Sequence, residues 1–431
     1  MGTPPNNSFA DGAATARTLD EQDALSNYHH EFYQLPDAIY LVANSLGLLS
    51  RRAEESLNTT IDAWRELGIR GWTQGDLQWV TMAKQVGAAT APLIGASPAE
   101  VTFTAGTTVN LHQCLATLYD PRSDRKGIVA DDLAFPSDRY ALHSHLKALG
   151  LDPDTHLHLV PARDRYTLSE DDIIAAMTEE VQLVLLPSVV HLSGQLLDIR
   201  RIAEAASQRG ILLGIDCSHS VGAVPHQFHD DGVDFAVWSS YKFLNGGPGS
   251  VAGLFLHEKH FGRSPGLAGW FSATEENLFS YAPTLTPAPD ARAMQIATPC
   301  VASLAPLVGS LETIQSAGID AIREKSLQQT QFMTDLIDSG LREFGFDVAT
   351  PSAPERRGGH VALVHPNASR ISKALHDAGV VADFRRPDII RVAPSPLYTT
   401  FHDCYEALSR LRTIMQDKTY EQFPEEPGIV P

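Results

Sequence analysis

Residues 211–243, ILLGIDCSHSVGAVPHQFHDDGVDFAVWSSYKF, decide the fold. Two short apolar runs, ILLGI and VDFAVW, each break off into polar residues. Asp216, Cys217, Ser218 and His219 follow the first; Ser239, Ser240, Tyr241 and Lys242 follow the second. A short continuous apolar run is how a strand buried on both faces reads, and open α/β sheets bind ligands beyond the carboxyl ends of such strands. Two strands thus bring an acid and an amine to one rim.

Outward from this stretch the alternation continues. GIVADDLAF, THLHLVPA and VQLVLLPSVV read as strands upstream and SVAGLFLH as one downstream, with helical periodicity in SEDDIIAAMTEE and DIRRIAEAASQRG. Strands alternating with helices give βαβ units and a mostly parallel, doubly wound sheet. Residues 303–345 read as one long helical region. RRGGHVALVHP, RISKALHDAG, DIIRVAP and HDCYEALSRLRTIM then follow as strand, helix, strand and helix, a small α+β domain after the large one. The first roughly 25 residues lack apolar periodicity and read as a mobile arm, as does the closing EQFPEEPGIVP.

The chain has 431 residues, with 52 Asp and Glu against 33 Lys and Arg, a formal charge of -19. Such a surface repels phosphate backbones and anionic headgroups, which argues against nucleic acid and membrane as partners. No apolar run approaches the roughly 18 residues of a membrane span. The opening MGTPPNNSFADGAATARTLDEQ lacks the basic-then-apolar plan of a signal peptide, so a cytoplasmic protein is expected. Cys114, Cys217, Cys300 and Cys404 are far apart, without a CxxC. Neither a disulfide framework nor a metal site is expected, since His29, His30, His143 and His145 also lack helical partners of metalloprotease spacing.

Lys242 stands between Tyr241 and Phe243 and precedes the Gly-rich LNGGPGSVAG, where backbone can approach a ligand closely. A lysine there suggests a Schiff base, and Asp216 beside it a partner for a protonated ring nitrogen. Pyridoxal 5'-phosphate (PLP) asks for that combination. FTAGTTVNLH adds a strand end, a Gly turn and Thr107 and Thr108 opening a helix, whose free N–H groups favour an anion. In AFPSDRY, Phe135 is either a cover for a flat ring or plain core, and Asp138 is a hydrogen-bond acceptor. Arg391, inside the apolar strand DIIRVAP, needs a partner: either a substrate carboxylate or a structural salt bridge.

ANSLGLLS, FTAGTTVNLH, AFPSDRYALHSHL, the segment from GIDCSHS through SYKFLNGGPGSVAGLFLHEKH, AGWF and IIRVAPSPLYTTFHD together resemble the kynureninase family, fold-type I PLP enzymes related to class V aminotransferases. The resemblance runs from about Tyr40 to Leu411, most of the chain, and RRGGHVALVHP looks like its bacterial branch. It implies a large domain with a mostly parallel seven-stranded sheet and a small C-terminal α+β domain. With it the chain divides into an arm (1–27), a segment packing with the small domain (28–60), the PLP domain (61–300), and a long linking helix with the small domain (301–431). Lys242 would carry the cofactor and move protons, and Tyr241 would act as general acid. Asp216 would pair with the pyridine nitrogen, with His219 beside it. Thr107, Thr108 and Tyr241 would hold the phosphate, Phe135 would stack on the ring, and Asp138 and Ser188 would make polar contacts. Trp270 and Thr298 would reach the site from the second subunit of a homodimer. Asn44, Ser45, Trp72 and Thr298 would line the aryl-ketone pocket, and Arg391 would clamp the substrate carboxylate.

The implied reaction is hydrolysis of the Cβ–Cγ bond of L-kynurenine to anthranilate and L-alanine, in tryptophan catabolism. Ala43 departs from the glycine that more often precedes NSLG, and Gln295 and Cys300 sit around the TP of IATPC, a segment that shapes the aryl pocket. Vertebrate-type members, which favour 3-hydroxykynurenine, carry His and Asn where Trp72 and Thr298 stand. Trp with Thr fits a preference for kynurenine. The alternative is another class V lyase, of the cysteine desulfurase or selenocysteine lyase type. That chemistry needs a reactive thiol, and Cys300, the one cysteine near a pocket segment, has no cation around it in the sequence.

Overall fold

The computed structural model describes residues 9–425. Its central sheet contains β1 (Val101–Phe103), β2 (Gly127–Asp131), β3 (Leu157–Val160), β4 (Val181–Pro187), β5 (Leu212–Asp216), β6 (Phe235–Trp238) and β7 (Gly253–Leu256). The spatial order is β1-β7-β6-β5-β4-β2-β3. β7 runs antiparallel to β1 and β6, and the other neighbours are parallel. This is the doubly wound, mostly parallel sheet expected from the alternation of apolar runs.

The longer helices, in chain order, are α1 (Gly12–Glu21), α2 (Arg51–Leu67), α3 (Trp79–Thr90), α4 (Thr107–Leu118), α5 (Pro136–Ala148), α6 (Ile199–Gln208), α7 (Val301–Ala317), α8 (Ile319–Gly340), α9 (Ala368–Asp377) and α10 (Phe401–Gln416). Strand residues alternate between two layers. Ile128, Leu183, Leu185 and Phe235 pack beneath α4 and α5, whereas Val129, Val184, Leu186 and Ala236 face α3, α6 and α7. Two covered faces explain why these strands read as unbroken apolar runs rather than alternating ones. Gly214 lies opposite Phe235, and a Cβ there would stand 2.1 Å from that ring, so a glycine is needed for the ring to cross the strand.

The smaller sheet holds β8 (Asp347–Val348), β9 (Val361–Val364), β10 (Asp383–Arg385) and β11 (Ile389–Val392), all antiparallel, in the order β10-β11-β9-β8. With α8, α9 and α10 it encloses a second core around Leu336, Leu363, Ile371, Ile390 and Leu408.

Several expectations change. The helical region after residue 300 is two helices, broken at Gly318, whose φ of +81° ends α7 before α8 begins. Residues 9–27 of the expected arm are packed. In α1, Ala16 is fully buried, next to Phe9, and the Asp20 carboxylate accepts from the amides of Phe401 (2.7 Å) and His402 (3.0 Å) at the start of α10. Asp23 pairs with Lys325 at 2.7 Å, both nearly buried. Small residues carry this contact, which leaves no hydrophobic period to read; residues 1–8 lie outside the described part. The closing segment is likewise docked as far as Glu425, whose carbonyl accepts from Ser369 Oγ at 2.8 Å, and residues 426–431 lie outside. Within 28–60, Ile39–Tyr40 pairs in parallel with Val380–Val381 of the small domain. α2 instead packs on α7, so closely that a Cβ on Gly309 would meet the Arg52 carbonyl at 2.0 Å.

Candidate active site

The carboxyl ends of β1, β5 and β6 open into a cavity of about 680 Å³ whose far wall comes from the small domain. Asp216 is the last residue of β5, and Lys242 follows the turn after β6. The lysine Nζ lies 3.0 Å from His219 Nε2. Burial lowers the Lys242 pKa to about 8, against the opposing pull of Asp216, which favours the neutral, nucleophilic amine. Asn44–Gly47 leans on this turn: Gly47 N–H donates to the Tyr241 carbonyl at 2.7 Å.

Asp138, on the first turn of α5, lines the cavity with Asp216. Burial first, and the Asp216 charge second, push Asp138 well above the usual carboxylate range. Two acids that face a cavity in this way suit a protonated ring nitrogen. Opposite them, α4 begins after Gly106 and Ala105, the latter in the left-handed region at φ +45°. Thr107, Thr108 and Val109 line the cavity with the open amides of this helix end, and Thr107 Oγ1 meets Ser239 Oγ at 3.1 Å. A Cβ on Gly106 would meet nothing within 4 Å, which leaves room for a phosphate against the helix dipole. An amine whose pKa burial lowers, a pair of acids and an anion cradle around one cavity fit PLP.

Phe135 is not plain core. It is 47% exposed at the cavity mouth, edge-on to His191 at 5.4 Å, not in the core. Asn44, Ser45, Thr107, Thr108, Phe135, Asp138, Asp216, His219, Tyr241, Lys242 and Arg391 all line the cavity. Ser188 does not: it lies beneath the floor, where its N–H donates to the Asp216 carbonyl and its hydroxyl meets Ser220 Oγ at 2.6 Å. Trp72, Trp270 and Thr298 also stand outside this chain's cavity. Trp72 packs on Trp79 and Phe271, Trp270 is 46% exposed against Phe271 and Phe279, and Thr298 is exposed.

For Arg391, the salt bridge is present. Its Nε donates to Asp383 Oδ1 at 2.7 Å, its Nη2 reaches Asp383 Oδ2, and its Nη1 donates to the His191 carbonyl at 2.6 Å. Sequence reasoning missed Asp383, Arg385, His191 and His360. Asp383 was within reach, because a buried arginine in a strand demands an acid and ADFRR lies one hairpin upstream. His191, His219 and His360 are all held neutral, by burial above all, with Arg391 and Lys242 adding to it.

Away from the cavity, Glu100, His229 and His257 cluster closely enough to suggest a cation. The lone pairs there are already used. Glu100 accepts from the amides of Ser97 and Glu258 and from His229 Nδ1, each at 2.9 Å, and His257 Nδ1 accepts from Lys259 N–H. Cys114, Cys217 and Cys404 are buried, and the exposed Cys300 does not line the cavity.

Solved structures of the same architecture include a lysine-to-alanine mutant of the cystine C-S lyase C-DES with glycine covalently linked to its PLP cofactor. It shares a TM-score of 0.76 at 20% identity, over 89% of this chain and 98% of that one. The apo cysteine desulfurase of Thermococcus onnurineus NA1 shares a TM-score of 0.77 at 16% identity, over 91% and 98%. Residues 158–239 match the DegT/DnrJ/EryC1/StrS aminotransferase family. The fold is thus the fold-type I architecture, and its cavity has the residues that fit PLP.

Within that class the sequence is specific. Residues 322–411 match the kynureninase C-terminal domain, and a kynureninase of Geobacillus thermodenitrificans is 51% identical over 415 residues, 96% of this chain and 97% of that protein. The chain belongs to the kynureninase family.

Proposed function

We propose that this protein is a PLP-dependent hydrolase that cleaves the Cβ–Cγ bond of L-kynurenine to anthranilate and L-alanine. The observation that carries the reading is the cavity itself, which gathers Lys242, Asp216, Tyr241 and Arg391 in a chain of this family. Bound there, the cofactor supplies an electron sink for charge developing on carbons next to the substrate amine.

The chain's own residues then have separable tasks. Asp216 would hold the ring nitrogen in its charged form, with Asp138, whose pKa burial raises, beside it. Thr107, Thr108 and the α4 amides take the phosphate, with Tyr241 alongside, and Phe135 covers the ring. Lys242 removes the proton from Cα and returns it, which its lowered pKa favours near neutral pH. Water adds to the γ-carbonyl carbon, the Cβ–Cγ electron pair stays with Cβ, and the Tyr241 hydroxyl protonates Cβ. The γ-carbon leaves as the carboxylate of anthranilate. Arg391, anchored by Asp383, faces the substrate carboxylate, with Asn44 and Ser45 beside it.

Each active site is completed in a homodimer. Trp270, Phe279 and Tyr281 are exposed at 46%, 70% and 94%, an aromatic surface that suits a second copy, and Trp72 and Thr298 stand outside their own chain's cavity. No described helix is long and apolar enough to cross a membrane. Free cysteines and an acidic surface support a cytoplasmic setting.

The deciding experiment incubates PLP-loaded protein with L-kynurenine and with 3-hydroxy-L-kynurenine. Anthranilate and alanine released in equal amounts, with L-kynurenine cleaved faster, are the expected result. If neither ketone is cleaved while the cofactor is visibly bound, the substrate reading falls.

A further inference from the structure

The small-domain wall of the cavity carries one more positive charge than negative. Asp383 and Arg391 face each other across β10 and β11, and Arg385, two residues along β10, donates from Nη2 to Asp383 Oδ2 at 2.9 Å. One carboxylate therefore serves two guanidiniums, both of which border the cavity. His191, His219 and His360 beside them are neutral and add nothing to the count. Guanidinium does not give up its proton at ordinary pH, so the surplus stays until an anion arrives.

The two arginines differ in what they have left to offer. Arg391 is 1% exposed, and its N–H groups go to Asp383, the His191 carbonyl and Ser45 Oγ. Arg385 is 31% exposed in its side chain, and its Nε is buried without a partner. A buried donor left unpaired is costly, and pairing it with a charged acceptor removes that cost. The phosphate cradle at the start of α4 belongs to the large domain, whereas Arg385 belongs to the facing wall.

We propose that Arg385 is a second ligand for the carboxylate of the amino-acid substrate: Asp383 steadies both guanidiniums, and Arg385 supplies the free charge that Arg391, being largely saturated, does not. This rests on the amino-acid substrate reading above, and it makes Arg385 a determinant of specificity for the free acid over neutral analogues.

The test compares holoenzymes of wild type, Arg385→Gln and Arg385→Lys. Release of anthranilate from L-kynurenine by wild type establishes the substrate reading separately. Arg385→Gln is expected to raise KM for L-kynurenine about 10- to 100-fold. It is also expected to leave KM for the methyl ester of L-kynurenine, which lacks the carboxylate, unchanged and to bind PLP as wild type does. Arg385→Lys should recover part of the loss. An unchanged KM, an equal loss on acid and ester, or weakened PLP binding would each overturn the proposal. Should wild type cleave no kynurenine, calorimetric titration with L-alanine decides the role of Arg385 alone: wild type that binds L-alanine no better than Arg385→Gln also overturns it.

Discussion

Arg391 and Asp383 form an ion pair buried from both sides, Nε to Oδ1 at 2.7 Å, with each side chain 1% exposed. The pair joins two adjacent strands of the small domain and at the same time builds one wall of the cavity, so stability and substrate binding meet in it. Removing the acid leaves two guanidiniums without their shared partner. Asp383→Ala is therefore expected to destabilise the fold by about 3–5 kcal/mol, measured by denaturant unfolding.

The same pair gives a pH dependence. Burial alone would raise the Asp383 carboxyl, but Arg391 and Arg385 overcome it and hold the pKa at about 2, below the ordinary 3.8. A folded-state pKa below the unfolded one adds stability above the unfolded value, and that stability is lost as pH falls through the folded value. Stability should thus fall from about pH 4 toward pH 2 in wild type, with a shallower fall in Asp383→Asn. Equal slopes in the two proteins would contradict this assignment.

Cofactor capture should follow the charge on Lys242. With its pKa lowered to about 8, the neutral fraction grows as pH rises through that value. The rate of PLP uptake by apoprotein, followed by absorbance, is expected to climb over the same range. Asp216 opposes the shift, so Asp216→Asn should move the profile to lower pH. A flat profile would show that the amine ionisation does not limit capture.

Tyr241→Phe should slow turnover roughly 10²- to 10⁴-fold, the worth of a placed proton donor, while the cofactor stays bound. Product release measured alongside PLP content separates this from loss of the phosphate site. Full activity in the variant would remove Tyr241 as the acid.

Gly47 is expected to tolerate no side chain. A Cβ there would stand 2.1 Å from Asn245 Oδ1 and 2.6 Å from the Lys242 carbonyl, and the latter is backbone that cannot swing aside. Gly47→Ala should cost about 1–3 kcal/mol and lower kcat by shifting the lysine turn. Unfolding and steady-state assays together check both effects.

Subunit complementation tests the proposed sharing of sites between two copies. Lys242→Ala and Trp270→Ala, each inactive or impaired alone, should on mixing and exchange recover up to about a quarter of wild-type activity, because half of the dimers are mixed and carry one intact site. No recovery after demonstrated exchange would confine Trp270 to its own chain.

The parallel sheet was legible because burial on both faces writes itself as unbroken apolar runs, as in VQLVLLP and VDFAVW. The rim residues Asp216 and Lys242 were legible because a strand must end before a polar residue can face a cavity. Asp383 and Arg385 were obscure for the opposite reason: charged residues in a short edge hairpin look like a solvated face until their strand is paired. Residues 9–25 were read as an arm because Gly12 and Ala16 pack by being small, and smallness carries no hydrophobic period.

The alternating architecture, the lysine with its acid, the helix end that suits phosphate and the family were therefore readable from the residues in order. Packing in three dimensions was needed to place Phe135 at the mouth, Ser188 under the floor, Trp72, Trp270 and Thr298 outside their own chain's cavity, and one aspartate between two arginines. The physical reason is range. Local periodicity and chain ends are encoded within a few residues, whereas the walls of the cavity meet only when elements far apart in the chain pack together, as Arg391 meets the carbonyl of His191, 200 residues away in sequence.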